Sequence, residues 1–215
     1  NRLIAASTEL AVSMDLNRDD CGLNVMPLHH VGGIVCNLLT PLVAHGRMIF
    51  GCRFNAAAWY TEVRRQQPVV TWCYAVPTMW SLVVQSDGAL PSSLRLLRSG
   101  AAHMPHAVAV QLAERLSTHA SFLPTYSMTE CMPIASPPVG YALDRPGSVG
   151  RPLCIEVHIL DPTGEALASG DIGEVTLSHR TPFCGDQLFD GYEEAGSNAV
   201  ARGEGSPSRS SRSFR

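Results

Sequence analysis

Short apolar segments alternate with longer amphipathic ones from the start of the chain to residue 123. Residues 1–14 place Leu3, Ile4, Ala11 and Met14 on an approximate helical stripe, and Gly22–Leu28 follows as a buried strand. Gly33–Ala44 reads as a helix, Met48–Phe50 as a strand, Ala56–Gln67 as a helix and Val69–Tyr74 as a strand. Pro77 opens a helix over Thr78–Gln85, and Leu94–Leu97 is a strand. Pro105–Ser117 is a helix with Val108, Leu112 and Leu116 in line, and Ser121–Leu123 is a strand. Strands this apolar, separated by helices, belong in a parallel sheet covered on both faces. The expected fold is α/β: a doubly wound, mostly parallel sheet with helices on both faces.

The pattern changes near Pro137. Gly and Pro now punctuate strands at Ile155–Leu160 and Glu174–Ser178, joined through a turn at Asp161-Pro162-Thr163-Gly164. The order Ile-Glu-Val-His-Ile-Leu alternates, so one face of that strand should meet water in an antiparallel unit. Three parts are expected: an α/β body over residues 1–145, a partial β-subdomain over 146–201, and an Arg/Ser tail over 202–215 that is too poor in apolar side chains to order.

Charge and composition exclude several chemistries. All 16 basic residues are Arg, and the chain contains no Lys. It therefore supplies no Walker-type phosphate lysine, no Schiff-base lysine and no lysine acid or base. A net charge of −3 gives no nucleic-acid or membrane signal, and four Arg in the tail make only a small basic cluster. The longest apolar stretch, Val31–Ala44, is interrupted by Asn37, Thr40 and Pro41, so no membrane span is expected. Seven Cys, none in C-x-x-C spacing, read as small buried hydrophobes of a reducing compartment. With no targeting segment read, the cytoplasm is the expected location, and the peroxisome is the alternative for an intact protein.

The densest chemical signal is Thr125-Tyr126-Ser127-Met128-Thr129-Glu130, directly after a predicted strand, where parallel sheets hold their ligands. Tyr126 offers a flat stacking face, Thr129 a hydroxyl for a phosphate oxygen, and Glu130 a hard oxygen for Mg²⁺. Together they suit a nucleoside triphosphate. The plain alternative is a polar loop that caps a helix. A zinc site from His29, His30, His103 and His106 lacks the spacing of structural zinc ligands.

Four ordered stretches carry a resemblance. Tyr126–Glu130 resembles the Tyr-Gly-x-Thr-Glu motif of the adenylate-forming (AMP-binding) superfamily, which includes acyl-CoA synthetases. Met26-Pro27-Leu28-His29-His30-Val31-Gly32-Gly33 resembles its Pro-Leu-Phe-His-x-x-Gly segment, and Ser99-Gly100-Ala101-Ala102 its Ser-Gly-Gly/Ala-Ala loop. Pro146–Pro152, with Asp161–Glu165 and Gly170–Glu174, resembles the start of its β-barrel-like subdomain. The match runs from about residue 1 to Tyr192. The resemblance implies an ATP-dependent ligase that forms an acyl-adenylate and passes the acyl group to a thiol, coenzyme A foremost. It implies that Thr129 touches the ATP phosphates, Glu130 holds Mg²⁺, and Tyr126 and Ser127 meet the adenine with Gly100, Ala101 and Ala102. His30 would stand beside the carboxylate being activated. The substrate implied is a small-molecule carboxylic acid. The Pro146–Pro152 stretch is similar to that of oxalate- and short-acyl-CoA ligases. A carrier-protein arm is the alternative acceptor.

The sequence departs from the family pattern in places. Thr125 and Ser127 replace glycines on either side of Tyr126, and His29 replaces Phe. After Gly191-Tyr192 the expected Gly-Trp-Phe-x-Thr-Gly-Asp does not follow, and the Arg/Ser tail begins within about ten residues. The family's two working lysines fall in a phosphate loop before Asn1 and in a lid after Ala201. The expectation is an internal fragment, inactive on its own, with a tail from a frame or splice artefact or a truncation. The competing reading is a non-catalytic remnant that binds nucleotide weakly.

Overall fold

In the computed structural model, residues 2–179 are described, apart from 52, 66 and 87. The predicted Gly191-Tyr192 segment, the end of the expected β-subdomain and the Arg/Ser tail lie outside the described residues. Five parallel strands form one sheet in the order β2-β1-β3-β4-β5. They are β1 (Cys21–Asn24), β2 (Arg47–Phe50), β3 (Trp72–Ala75), β4 (Leu96–Ser99) and β5 (Ser121–Pro124). Every residue of β1, β3, β4 and β5 is buried, and only β2, at the edge, is partly exposed. The doubly wound α/β expectation holds.

The two faces carry different cores, because successive side chains on a strand point to opposite sides. On one face, Trp72, Tyr74, Leu96 and Leu123 pack with Leu10 and Met14 of α1 (Arg2–Ser13) and its following turn, and with Val35 and Cys36. On the other, Cys73, Leu97 and Phe122 pack with α3 (Ala56–Arg65), α4 (Pro77–Gln85) and α5 (His106–Arg115). An edge-to-face chain of Trp59, Trp80 and Phe122 runs through this second core, with ring centroids 5.7 and 6.5 Å apart. Helix α1 buries Ala6, Ser7, Leu10 and Ala11, while Leu3 and Ile4 of the predicted stripe are exposed in its first turn.

Two local expectations are corrected. The segment predicted as an α-helix over Gly33–Ala44 is a π-helix over Gly32–Leu39 followed by α2 (Thr40–Val43). Apolar periodicity does not distinguish these backbones. The wide turn closes where the Thr40 N–H and its Oγ1 both donate to the Val35 carbonyl, the hydroxyl at 2.8 Å. Asn37 is thereby buried against β1, its Nδ2 donating to Asn24 Oδ1 at 2.7 Å. The antiparallel part also begins earlier than Pro137, with β6 (Tyr126–Met128) paired to β7 (Cys131–Ser136), and β7 to β8 (Arg151–Pro152). Pro133 disguised β7, since proline cannot donate within a ladder. It falls where the β6–β7 register shifts, so its missing N–H is tolerated. Strands β9 (Ile155–Leu160) and β10 (Glu174–His179) pair antiparallel as predicted. Asp161 Oδ1 accepts from the Thr163 and Glu165 N–H groups at 2.8 and 2.9 Å in the turn that follows β9.

At the N-terminal end of the sheet, Asp20 ties three strands together. Arg95 donates to both its oxygens, at 2.7 and 2.5 Å, and Thr71 Oγ1 donates at 2.8 Å. Burial acts to raise the Asp20 carboxyl, but the hydrogen bonds from Arg95, the Asn17 N–H and Thr71 outweigh it and hold it below its ordinary range. A depressed native value means that this stabilisation is present above the unfolded carboxylate value and lost as pH falls through the native one. We expect Asp20→Asn to cost about 2 kcal/mol at pH 7, the scale of hydrogen bonds to a charged group. Urea unfolding should show that gap closing as pH drops below ~4.

Candidate functional site

Two loops leave the C-terminal ends of neighbouring strands β4 and β5, whose last residues, Ser99 and Pro124, are paired. Thr125 joins the loops: its N–H and Oγ1 both donate to the Ser99 carbonyl, at 2.9 and 2.8 Å. Where the family pattern has glycine, this threonine is thus a buried fastener. The β4 loop then turns through Ala101 in the left-handed region, at φ +71°. A Cβ there costs about 1 kcal/mol relative to glycine, a strain tolerated where loop geometry is set by its surroundings. From β5 the chain enters β6, and pairing of Met128 with Cys131 leaves Thr129 and Glu130 as a two-residue hairpin turn.

A cavity of about 340 Å³ opens between these loops. Ser99, Pro124 and Thr125 are at its base, and Ala101, Ala102, Tyr126 and Ser127 line it. His103 contributes from the loop before α5 and His106 from its first position, and Leu143, Arg145, Gly147, Ser148 and Val149 from the segment before β8. Ser99 Oγ is buried without a hydrogen-bond partner among the described residues, an unanswered polar group in the cavity lining. Tyr126 is 36% exposed, which leaves ring surface for a flat ligand. An adenine ring fits this donor set and this size.

Of the residues singled out in the sequence, Ala101, Ala102, Tyr126 and Ser127 meet in this cavity. Gly100 lies behind them: a Cβ there would stand 3.0 Å from Tyr74 Oη and 3.2 Å from Thr125 Oγ1. Thr129 and Glu130 do not line the cavity but occupy the hairpin turn that continues from it, Thr129 exposed and Glu130 half-buried. His30 is exposed on the turn before the π-helix, its Nδ1 accepting from the Gly32 N–H at 3.1 Å. That turn is packed tightly, since a Cβ on Gly33 would fall 2.0 Å from the Pro27 carbonyl oxygen. His29 is likewise exposed. Among the described residues, no three His, Cys, Asp or Glu gather as a metal site. Burial pushes the Cys36 thiol up to about 11 and those of Cys73 and Cys131 to about 12, so none is a nucleophile at neutral pH.

Sequence reasoning missed Arg98. It ended the β4 strand at Leu97, one residue short of an Arg of the kind that is normally exposed. Arg98 instead stays inside it, 1% exposed, on the α1 face beside Tyr74, its partner across the β3–β4 register. Its Nε donates to Thr125 Oγ1 at 3.4 Å and its Nη1 to Ser13 Oγ at 3.1 Å. Among the described residues no carboxylate pairs with it. Burial pushes the guanidinium below its ordinary value, with Cys36 and Tyr74 opposing, and pushes the Tyr74 hydroxyl above the phenol range. The signal that could have found it is the charge itself, set between Leu97 and Ser99 in an otherwise apolar run.

The sequence matches the AMP-binding enzyme family over residues 2–192. The chain belongs to that family. Its relatives include the sulfoacetate–CoA ligase of Cupriavidus necator, 29% identical over 90% of this chain and 36% of that protein. The oxalate–CoA ligase of Arabidopsis thaliana is 30% identical over 75% of this chain and 32% of that one. Among solved structures, ATP-bound MatB from Rhodopseudomonas palustris superposes with a TM-score of 0.80 at 25% identity, covering 94% of this chain and 39% of that one. The chain thus spans about a third of the length of the curated relatives. Among the described residues, no helix is long and apolar enough to cross a membrane.

We expect Ala101→Gly to raise stability by about 1 kcal/mol by relieving the left-handed alanine, less the entropy cost of glycine in the unfolded chain. Thermal unfolding of the variant against the parent measures it. An unchanged or lower midpoint would show that the loop is not strained there.

Proposed function

We propose that this chain supplies the adenine-nucleotide part of an ATP-dependent acid–CoA ligase. The observation that carries the reading is the cavity over β4 and β5, where Ala101, Ala102, Tyr126 and Ser127 converge around the unanswered Ser99 hydroxyl. In this reading Tyr126 packs on the adenine, with Gly100, Ala101 and Ala102 shaping its pocket. The Thr129 hydroxyl meets a phosphate oxygen from the hairpin turn. Glu130, half-buried in the same turn, is the carboxylate for Mg²⁺, which keeps most of its shell as phosphate oxygen and water and so needs few protein ligands. Mg²⁺ would neutralise charge on the phosphates as the carboxylate attacks. His30 stands by the acid, and Tyr74 connects its turn to the cavity: Cβ atoms on Gly32 and Gly100 would lie 3.4 and 3.0 Å from the Tyr74 hydroxyl.

Relatives named as CoA ligases support coenzyme A, rather than a carrier-protein arm, as the thiol. Their acids, sulfoacetate and oxalate, are short and support a short carboxylic acid here. A second reading, nucleotide binding without catalysis by these 215 residues, is favoured by one observation. The sequence contains no Lys, the residue type that the family pattern uses with the phosphates.

Calorimetric titration with AMP tests the nucleotide site. The chain should bind AMP, and Tyr126→Ala should weaken it about tenfold, since stacking of a base on an aromatic ring is worth ~1–3 kcal/mol. Absence of AMP binding sinks the reading. Exchange of labelled pyrophosphate into ATP separates the two versions: we expect none from this chain, and clear carboxylate-dependent exchange would show that it completes the first step alone.

A further inference from the structure

The segment before β8 brings to the cavity a charge that nothing answers. Arg145 lines the cavity and is exposed, and among the described residues it enters no hydrogen bond, ion pair or ring contact. Among the described residues of the lining it is the one permanent cation, beside the imidazoles of His103 and His106, and no carboxylate is present. Other arginines of the chain are spent on structure. Arg95 holds the Asp20 carboxylate, and Arg115 donates to the Val84 and Ser86 carbonyls.

The backbone beneath Arg145 is fixed, although its head group is not. Leu143, two residues before it, is buried in the core under α3, α4 and α5 and held in the left-handed region at φ +55°. A leucine keeps such a backbone only where its surroundings impose it. On the far side, Gly150 takes φ +84° against the end of β7, where a Cβ would stand 2.1 Å from the Pro137 nitrogen. Between these two points the chain bonds only to itself. The Ser148 N–H donates to the Arg145 carbonyl at 3.1 Å, the Gly150 N–H donates to Ser148 Oγ at 3.3 Å, and Gly147 makes the turn at φ +76°. Arg145 is therefore pinned at the cavity by its main chain, with its guanidinium left for a ligand.

The place of Arg145 says which part of a nucleotide it would meet. Thr129 and Glu130, the residues read for the phosphates and Mg²⁺, lie in the hairpin turn outside the cavity lining. Arg145 shares the lining with Tyr126, the flat wall read for the base. A base resting on Tyr126 has a second face to cover. A guanidinium suits it, being planar, weakly hydrated and attracted to π faces.

We propose that Arg145 stacks on the free face of the base that Tyr126 holds, so that the base is clamped between ring and guanidinium. This rests on the nucleotide reading above and adds a binding residue to that site.

The test is calorimetric titration of the full 215-residue chain with AMP and with adenosine. Arg145→Ala should weaken both by the same factor, about fivefold, the scale of a guanidinium over an aromatic face. The residue is exposed and unbonded, so its truncation leaves the core intact. Arg145→Lys keeps the charge without the plane and should recover only part of the loss. Unchanged affinity in Arg145→Ala overturns the proposal, as does full recovery by Arg145→Lys. A loss confined to AMP also overturns it, by putting the guanidinium on the phosphate. A parent chain that binds AMP but not adenosine counts against it equally, since a base gripped on both faces holds without its phosphate. A parent chain that binds neither sinks the nucleotide reading itself.

Discussion

Burial of the parallel sheet on both faces is the constraint from which the rest of the structure follows. A strand covered above and below can satisfy its backbone only sideways, so β1, β3, β4 and β5 must each have a paired neighbour. Helices on both faces then leave only the two ends of the sheet for polar work. The N-terminal end is occupied by the Asp20–Arg95–Thr71 network, a structural clamp. The C-terminal end holds the loops after β4 and β5 and the cavity between them. The two ends are thus specialised, one for holding strands in register and one for ligand.

Within that frame, the elements legible in the sequence are those whose signal is local. The four buried strands announce themselves as apolar runs, and Pro77 marks the start of α4 at its first residue. The π-helix is invisible because its hydrogen-bond register, set by Thr40 and the Val35 carbonyl, changes no residue's polarity. Strand β7 is hidden by Pro133, whose tolerance depends on a register shift against a different strand.

The candidate site divides in the same way. Tyr126 and Ser127, and Ala101 and Ala102, are contiguous in two motifs that follow neighbouring strands, so their meeting could be anticipated. Of the cavity residues beyond the two motifs, Leu143 and Arg145 close the segment read as the α/β body and Gly147 to Val149 open the one read as the β-subdomain, and nothing local says that they fold back over β4 and β5. Arg98 was missed for the opposite reason: the general rule that charged side chains stay exposed fails at this buried strand position.

The absence of lysine gives that position a further meaning. An ammonium group buried there could shed its proton and sit in the core as a neutral amine. A guanidinium has no such escape, because it stays protonated throughout the range in which proteins fold. The charge at Arg98 is therefore a permanent feature of the α1 face, and no physiological change of pH can switch it off.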